Sequence, residues 1–175
     1  GVDTVTSGAG NDIIKIGGNG ADVITAGEGH DRLISDFSTS TAAVITTITG
    51  TGSHGGASGA ATFSSVEEFH ITTGSGDDTI VTGDGADVLD GGAGADSLSS
   101  GGGSDVIYGG VGDTVDGGEN LDGSDFDVLV LKDFGPYEIV RDLANAENGT
   151  VFQLEAVGGD RTGGQVGFTN IEHIE

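Results

Sequence analysis

The sequence has no cysteine, a single proline and no long hydrophobic run. Without cysteine, the chain can form neither a disulfide framework nor a thiolate metal site. No apolar stretch approaches the roughly 20 residues of a membrane-spanning helix, and no charged-then-apolar signal opens the chain. We therefore predict no membrane insertion. Because the chain begins with Gly1 rather than methionine, we expect it to be part of a larger parent chain.

Positive charge is also scarce. Lysine and arginine total 5 against 29 aspartates and glutamates, which gives a formal net charge of −24. Such a chain repels nucleic acid and anionic membrane surfaces, so we predict neither as a partner. Self-repulsion of this size also opposes compaction. The chain is therefore either disordered or neutralised by cations when it folds.

Glycine, in contrast, is abundant, with 36 residues among 175. It does not recur at every third position, which excludes collagen. Aliphatic residues return at regular intervals, which argues against a disordered linker. The composition therefore favours a folded repeat.

The repeat is a nonapeptide, Gly-Gly-x-Gly-x-Asp-x-U-x, in which U is a large aliphatic residue. Eight copies hold one phase, apart from a single inserted residue between Asp12 and Asp22. A ninth copy, at Asp113, requires one deletion. A tenth, at Asp122, lacks its second glycine and its aliphatic residue.

These repeats resemble those of the RTX (repeats-in-toxin) family of secreted bacterial toxins, proteases, lipases and adhesins. The resemblance covers residues 1–34 and 72 to about 122. It implies an all-β fold, a right-handed parallel β-roll that binds calcium. It also implies type I secretion of an unfolded chain that folds in calcium-rich extracellular surroundings.

The spacing of the repeat suits calcium chemistry. Glycine allows the turn to adopt unusual dihedral angles and to point its carbonyls at one place. Calcium takes about 6 to 8 oxygen ligands, which carbonyls and carboxylates supply. The predicted metal-site aspartates are Asp3, Asp12, Asp22, Asp31, Asp78, Asp87, Asp96, Asp105, Asp113 and Asp122. The predicted metal-site glycines are Gly8, Gly10, Gly18, Gly20, Gly27, Gly29, Gly74, Gly76, Gly83, Gly85, Gly92, Gly94, Gly101 and Gly103.

After each turn a short strand places the aliphatic residue of position eight in the interior. These inward residues are Val5, Ile14, Ile24, Leu33, Ile80, Leu89, Leu98, Ile107 and Val115. Two copies form one coil of about 18 residues, so copies two apart stack on the same edge. The predicted stacked pairs are Asp3–Asp22, Asp12–Asp31, Asp78–Asp96, Asp87–Asp105, Asp96–Asp113 and Asp105–Asp122. With one ion between the members of a pair, we expect about four to six calcium ions.

Calcium is expected to act as the folding switch. Without it, stacked carboxylates repel each other, and one layer of aliphatic side chains cannot offset the chain entropy. Each filled site adds about 2.7 kcal/mol when calcium is 100-fold above Kd. Several sites together would decide whether the chain folds.

Four segments are expected along the chain. They are a first repeat block at 1–34, a β-rich insert at 35–72 that continues or covers the roll, a second repeat block at 73–122, and a C-terminal β segment at 123–175. In the insert, strands are predicted at 43–49 and 66–71 around a loop at 50–59. In the last segment, runs at 128–131, 137–140 and 151–157 predict an antiparallel meander that caps the roll, with Asn148-Gly149 as its strongest hairpin signal.

Residues 63–69 and 168–174 form an internal echo. Both contain an aromatic residue, an aliphatic-Glu pair three residues later and an apolar residue at the sixth step. The first copy leads directly into the repeat block that begins at Gly74. We therefore expect another repeat block or domain after Glu175.

No catalytic motif is found in the sequence. The four histidines are scattered, and neither Gly-x-Ser-x-Gly nor His-Glu-x-x-His occurs. Asp122, Asp125 and Asp127 form either an extra calcium site at the end of the roll or a plain acidic loop. We predict a non-catalytic calcium-binding module that supports secretion, folding or display of its parent. The alternatives are a non-catalytic part of a secreted protease or lipase and a structural adhesin module with a cell-surface or glycan partner.

Overall fold

The computed structural model describes residues 2–17, 22–47, 51–56, 59–120, 123–132, 135–141, 145, 147–154 and 161–175. Three predicted site residues, Gly18, Gly20 and Asp122, lie outside these ranges. Among the described residues, no helix is long and apolar enough to cross a membrane.

The strands form two sheets, which we call sheet A and sheet B. The strands of sheet A are β1 (Thr4–Ala9), β3 (Val23–Glu28), β5 (Ile45–Thr47), β6 (Thr51–Gly56), β7 (Gly59–Ser64), β9 (Thr79–Val81), β11 (Ser97–Ser99), β13 (Thr114–Asp116), β15 (Tyr137–Arg141), β16 (Gly149–Leu154) and β17 (Arg161–Thr169). The strands of sheet B are β2 (Ile13–Gly17), β4 (Arg32–Asp36), β8 (Glu68–Thr72), β10 (Val88–Asp90), β12 (Val106–Gly109), β14 (Val128–Leu131) and β18 (His173–Ile174).

In the repeat blocks the chain alternates between the two sheets, and each strand pairs in parallel with the strand one coil away. Leu98 is in register with Ile80, and Leu89 with Ile107. The coil is 18 residues long there, 19 across Asp12 and Asp31, and 17 across Asp96 and Asp113. The longer and shorter coils follow from the inserted and deleted residues in the repeat. The protein is a parallel β-roll.

The interior is the row of aliphatic side chains predicted from position eight. Eight of the nine are buried, and Val5 at the outer strand packs partly buried against the same cluster. Fully burying one such side chain stabilises the fold by about 1.5–3 kcal/mol. Phe63 and Phe69 join the row in the middle of the roll, with ring centroids 5.3 Å apart.

The insert widens sheet A. Strands β5, β6 and β7 run in the order β3-β7-β6-β5-β9, with antiparallel pairing on both sides of β6. The predicted loop at 50–59 was wrong, because Thr51–Gly56 is a strand and Gly59 begins another. Hydrogen bonds to a neighbour on each side hold β6 in place, although its glycine-rich sequence has little strand preference.

The C-terminal segment was predicted correctly in part. Two of the three predicted runs lie in strands β15 and β16, which pair antiparallel. Strand β17, which was not predicted, pairs antiparallel with β16. That this segment caps the roll stays a prediction. Val128–Leu131 does not belong to the meander, because it pairs in parallel with β12 and continues sheet B. Asn148-Gly149 is not the turn itself, since Gly149 already pairs with Arg141 as the first residue of β16. The second half of β17 pairs in parallel with β13, and β18 with β14.

Candidate metal sites

Acidic side chains line both edges of the roll, where each turn leads into a strand. The carboxylate Oδ1 of a position-six aspartate accepts a backbone N–H of the preceding coil, which in most copies belongs to another acid. Asp87 donates to Asp105 over 2.8 Å, and Asp78 to Asp96 over 2.8 Å. We call these rows the A-edge ladder and the B-edge ladder, after the sheet that each turn enters. The A-edge ladder contains Asp3, Asp22, Asp78, Asp96 and Asp113. The B-edge ladder contains Asp12, Asp31, Glu67, Asp87, Asp105, Asp127 and Glu172.

The second carboxylate oxygen is the unusual feature of both ladders. Within the described parts of the chain, it is buried and has no hydrogen-bond partner in seven aspartates: Asp12, Asp31, Asp78, Asp87, Asp96, Asp105 and Asp127. A buried carboxylate without a partner costs several kcal/mol or is neutralised. Seven such atoms in two rows mark positions where a cation would complete the contacts of the carboxylates.

Burial also raises the pKa of five ladder carboxyls. Burial raises the pKa of Asp87, Asp96 and Asp127 to about 7, and that of Asp105 to about 6. Burial also raises the pKa of Asp113. Neighbouring carboxylates of the same ladder add to the effect, as Asp105 does at Asp87. The protein alone therefore disfavours the charged form that a metal ion would require.

The glycine turns stack as closely as the strands. Gly103 has φ 129°, and a Cβ atom there would overlap the carbonyl oxygen of Gly85 one coil earlier. Gly27, with φ 114°, meets the carbonyl of Gly8 in the same way. Side chains are therefore excluded both by conformation and by space. The result is a column of backbone carbonyls beside each row of carboxylates.

Comparison with known families decides the identity. The model of the RTX calcium-binding nonapeptide repeat matches residues 1–15, 16–37, 72–107, 81–116 and 90–123, which together make up just over half of the chain. The chain belongs to the RTX calcium-binding repeat family. Modules of this family are typically non-catalytic, and no catalytic family is shown. Comparison with curated proteins gave no match.

Most of the aspartates predicted for the RTX sites stack as expected. The pairs Asp3–Asp22, Asp12–Asp31, Asp78–Asp96, Asp87–Asp105 and Asp96–Asp113 each share a ladder hydrogen bond of 2.8–2.9 Å. Of the predicted glycines in the described ranges, Gly8 and Gly27 are the last but one residues of strands β1 and β3. The others, Gly10, Gly29, Gly74, Gly76, Gly83, Gly85, Gly92, Gly94, Gly101 and Gly103, lie in the turns.

The predicted pair Asp105–Asp122 lies partly outside the described residues, because Asp122 is not among them. Asp105 donates its N–H to Asp127 over 2.8 Å, and Leu129 fills the interior position that follows. Asp127 lies 22 positions after Asp105, and this long separation hid the copy, although Asp127-Val128-Leu129 keeps the Asp-x-U spacing. Asp125 does not accept the N–H of Asp105. It accepts the N–H of Asn120 over 2.5 Å instead.

Asp113 differs from the other ladder aspartates. Its Oδ1 accepts the N–H of Asp96, and its Oδ2 accepts the N–H of Gly110 over 2.6 Å. The deletion in this copy shortens the turn and brings Gly110 within reach. Both oxygens are therefore satisfied by the protein.

Two ladder members, Glu67 and Glu172, were not predicted as site residues. They lie at the same place in the two echo segments, each two residues after a non-glycine residue with positive φ, Ser65 (55°) or Asn170 (51°). The echo is therefore one structural unit, a short turn that enters sheet B with glutamate at the ladder position. The repeated Val/Ile-Glu pair was the sequence signal that could have identified both.

Another acidic group lies near the end of the roll. Carboxylate oxygens of Glu119, Glu147 and Glu172 lie within 4.8 Å of one another. Glu119 is exposed and Glu147 is half-buried. Glu172 thus belongs to two acidic neighbourhoods, the ladder and this group.

Proposed function

We propose that this RTX roll binds calcium ions between stacked turns along both edges, and that these ions drive folding of the module. The seven buried Oδ2 atoms without a hydrogen-bond partner carry the proposal. The position-six carboxylates and the carbonyls of the glycine turns would hold the ions. Both donors are oxygens, which calcium prefers. Bound calcium would neutralise the negative charge of the buried carboxylates.

The charge of the whole chain supports the folding role. A net charge of −24 opposes the compact state, and each ion removes part of the repulsion. Linkage adds about 2.7 kcal/mol for each site when calcium is 100-fold above Kd. The combined contribution of several sites is therefore comparable to the whole stability of a typical domain, about 5–15 kcal/mol.

The same dependence would suit a secreted protein. Members of the family are typically secreted, and a chain that folds only in calcium would cross the cell envelope unfolded and fold outside. We propose that the module supports secretion, folding or display of a larger protein in this way.

A calcium titration followed by far-ultraviolet circular dichroism tests the folding role, with magnesium as the control ion. We expect a disordered spectrum that becomes β-rich with calcium but not with magnesium, because Mg²⁺ demands a rigid octahedron. Native mass spectrometry at saturating calcium counts the ions. A folded spectrum without calcium, or two ions or fewer, would contradict the proposal.

A further inference from the structure

Glu67 occupies a ladder position that aspartate holds elsewhere. Arg32 is in register with Glu68, so Glu67 stands opposite Asp31. The N–H of Asp31 donates to Glu67 Oε2 over 2.9 Å, just as the N–H of Asp12 donates to Asp31 Oδ1 over 2.8 Å. The glutamate therefore continues the contact pattern of the aspartates.

Glu172 does the same at the end of the roll. Val128 is in register with His173, which places Glu172 opposite Asp127. The N–H of Asp127 donates to Glu172 Oε2 over 2.5 Å. Two separate coils thus use one arrangement.

The B-edge ladder consists of two runs, and a glutamate closes each of them. The first run is Asp12, Asp31 and Glu67, and the second is Asp87, Asp105, Asp127 and Glu172. The first run stops at Glu67 because Asp87 stacks on Phe69 instead, whose N–H donates to Asp87 Oδ1 over 2.8 Å. The register thus moves two residues along β8, which keeps the inward and outward faces unchanged.

The unpartnered oxygens indicate that Glu67 and Glu172 take part in ion sites. Each of the seven aspartates with an unpartnered Oδ2 is followed by an acid one coil later. For Asp31 and Asp127, that acid is the glutamate. Asp113 is followed by Val166 and Gly167 instead, and its Oδ2 is satisfied by Gly110. Both Asp31 and Asp127 are fully buried, so bulk solvent does not reach the free oxygen.

We propose that Glu67 and Glu172 are calcium ligands, each completing one ion site with the aspartate before it, Asp31 or Asp127. The extra methylene of glutamate compensates for a short turn that lacks the paired glycines of the nonapeptide. Both sites add to those formed between two aspartates. The assignment rests on the proposed calcium binding and extends it beyond the repeat.

Charge-removing variants test the assignment. Glu67→Gln and Glu172→Gln keep an oxygen that can accept the ladder N–H but lose the negative charge. Native mass spectrometry at saturating calcium should show one ion fewer than the wild type in each variant and two fewer in the double variant. Circular dichroism in calcium checks that the remaining sites still fold the chain.

Two matched controls make the result specific. Glu175→Gln removes an exposed charge from the same last coil and should leave the number of ions unchanged. Glu119→Gln removes a charge from the group around Glu172 and should also leave it unchanged. Loss of an ion in Glu119→Gln would assign Glu172 to that group and overturn its place in the ladder site.

The outcomes separate the two proposals. A wild type that binds no calcium overturns both. A wild type that binds calcium, with Glu67→Gln and Glu172→Gln binding the same number, overturns only the glutamate assignment. If one variant fails to fold in calcium, the other decides, because the two glutamates belong to different runs.

Discussion

At the residue scale, Asp105 shows how one ladder residue contacts the acids on both sides of it. Its Oδ1 accepts the N–H of Asp87, its own N–H donates to Asp127, and its Oδ2 is buried without a partner. In the folded roll these backbone contacts hold the carboxylate in one position on the ladder. Folding therefore orders the side chain and leaves its second oxygen free for an ion.

Asp105→Asn tests that view. Asparagine retains the shape and an oxygen acceptor but cannot carry the charge that calcium requires. We expect fewer bound ions and a free energy of unfolding in saturating calcium that falls by about 3 kcal/mol or more, since at least one site is lost. Urea unfolding with and without calcium measures the difference.

The control for this substitution is Asp36→Asn, which removes an exposed carboxylate at the end of β4. It should change the calcium-dependent stability by less than about 0.5 kcal/mol, as surface substitutions usually do. Equal losses in both variants would mean that net charge alone, rather than the ladder position, determines the effect.

At the scale of the element, the sequence was most informative where the nonapeptide is intact. There the Asp-x-U spacing sets the turn, the strand and the buried residue together, and Ile80, Leu89 and Leu98 are interior as predicted. It failed where pairing partners decide the structure. Nothing local in Thr51–Gly56 favours a strand, and only the flanking strands make it one.

Strand β14 shows the same limit from the other side. Its run of aliphatic residues was read as part of the meander, because the long connection before Asp127 concealed the repeat. The register with β12 assigns it to the roll. The site residues Glu67 and Glu172 were missed for a related reason, since each stands outside the glycine pattern and enters the ladder only through stacking.

Alanine substitutions in β14 test its place in the roll. Leu129 is fully buried, whereas Val130 faces away from the interior and is half-exposed. Leu129→Ala should lower the free energy of unfolding in calcium by about 2–5 kcal/mol. Val130→Ala should cost under about 1 kcal/mol. Similar costs for both substitutions would contradict the alternation that a roll strand requires.

At the scale of the whole molecule, the two ladders make folding depend on both calcium and pH. The pKa values of Asp87, Asp96, Asp105 and Asp127 lie at about 6 to 7 in the metal-free fold, against about 3.9 in an unfolded chain. Between about pH 4 and pH 7, the metal-free fold therefore binds more protons than the unfolded chain does. The stability that these four groups contribute to the metal-free fold is fully present below about pH 4 and is lost as the pH rises through 6 to 7.

Protons and calcium should therefore compete for the same carboxylates. Since protons neutralise these carboxyls only in the fold, we expect the calcium-free chain to gain β-structure in circular dichroism as the pH is lowered from 8 towards 4. Calcium added to this protonated fold at pH 5.5 should release protons, which an indicator dye in weak buffer would detect. A calcium-free spectrum that does not change over this range, with no proton release, would mean that protons do not stand in for calcium on the ladder carboxylates.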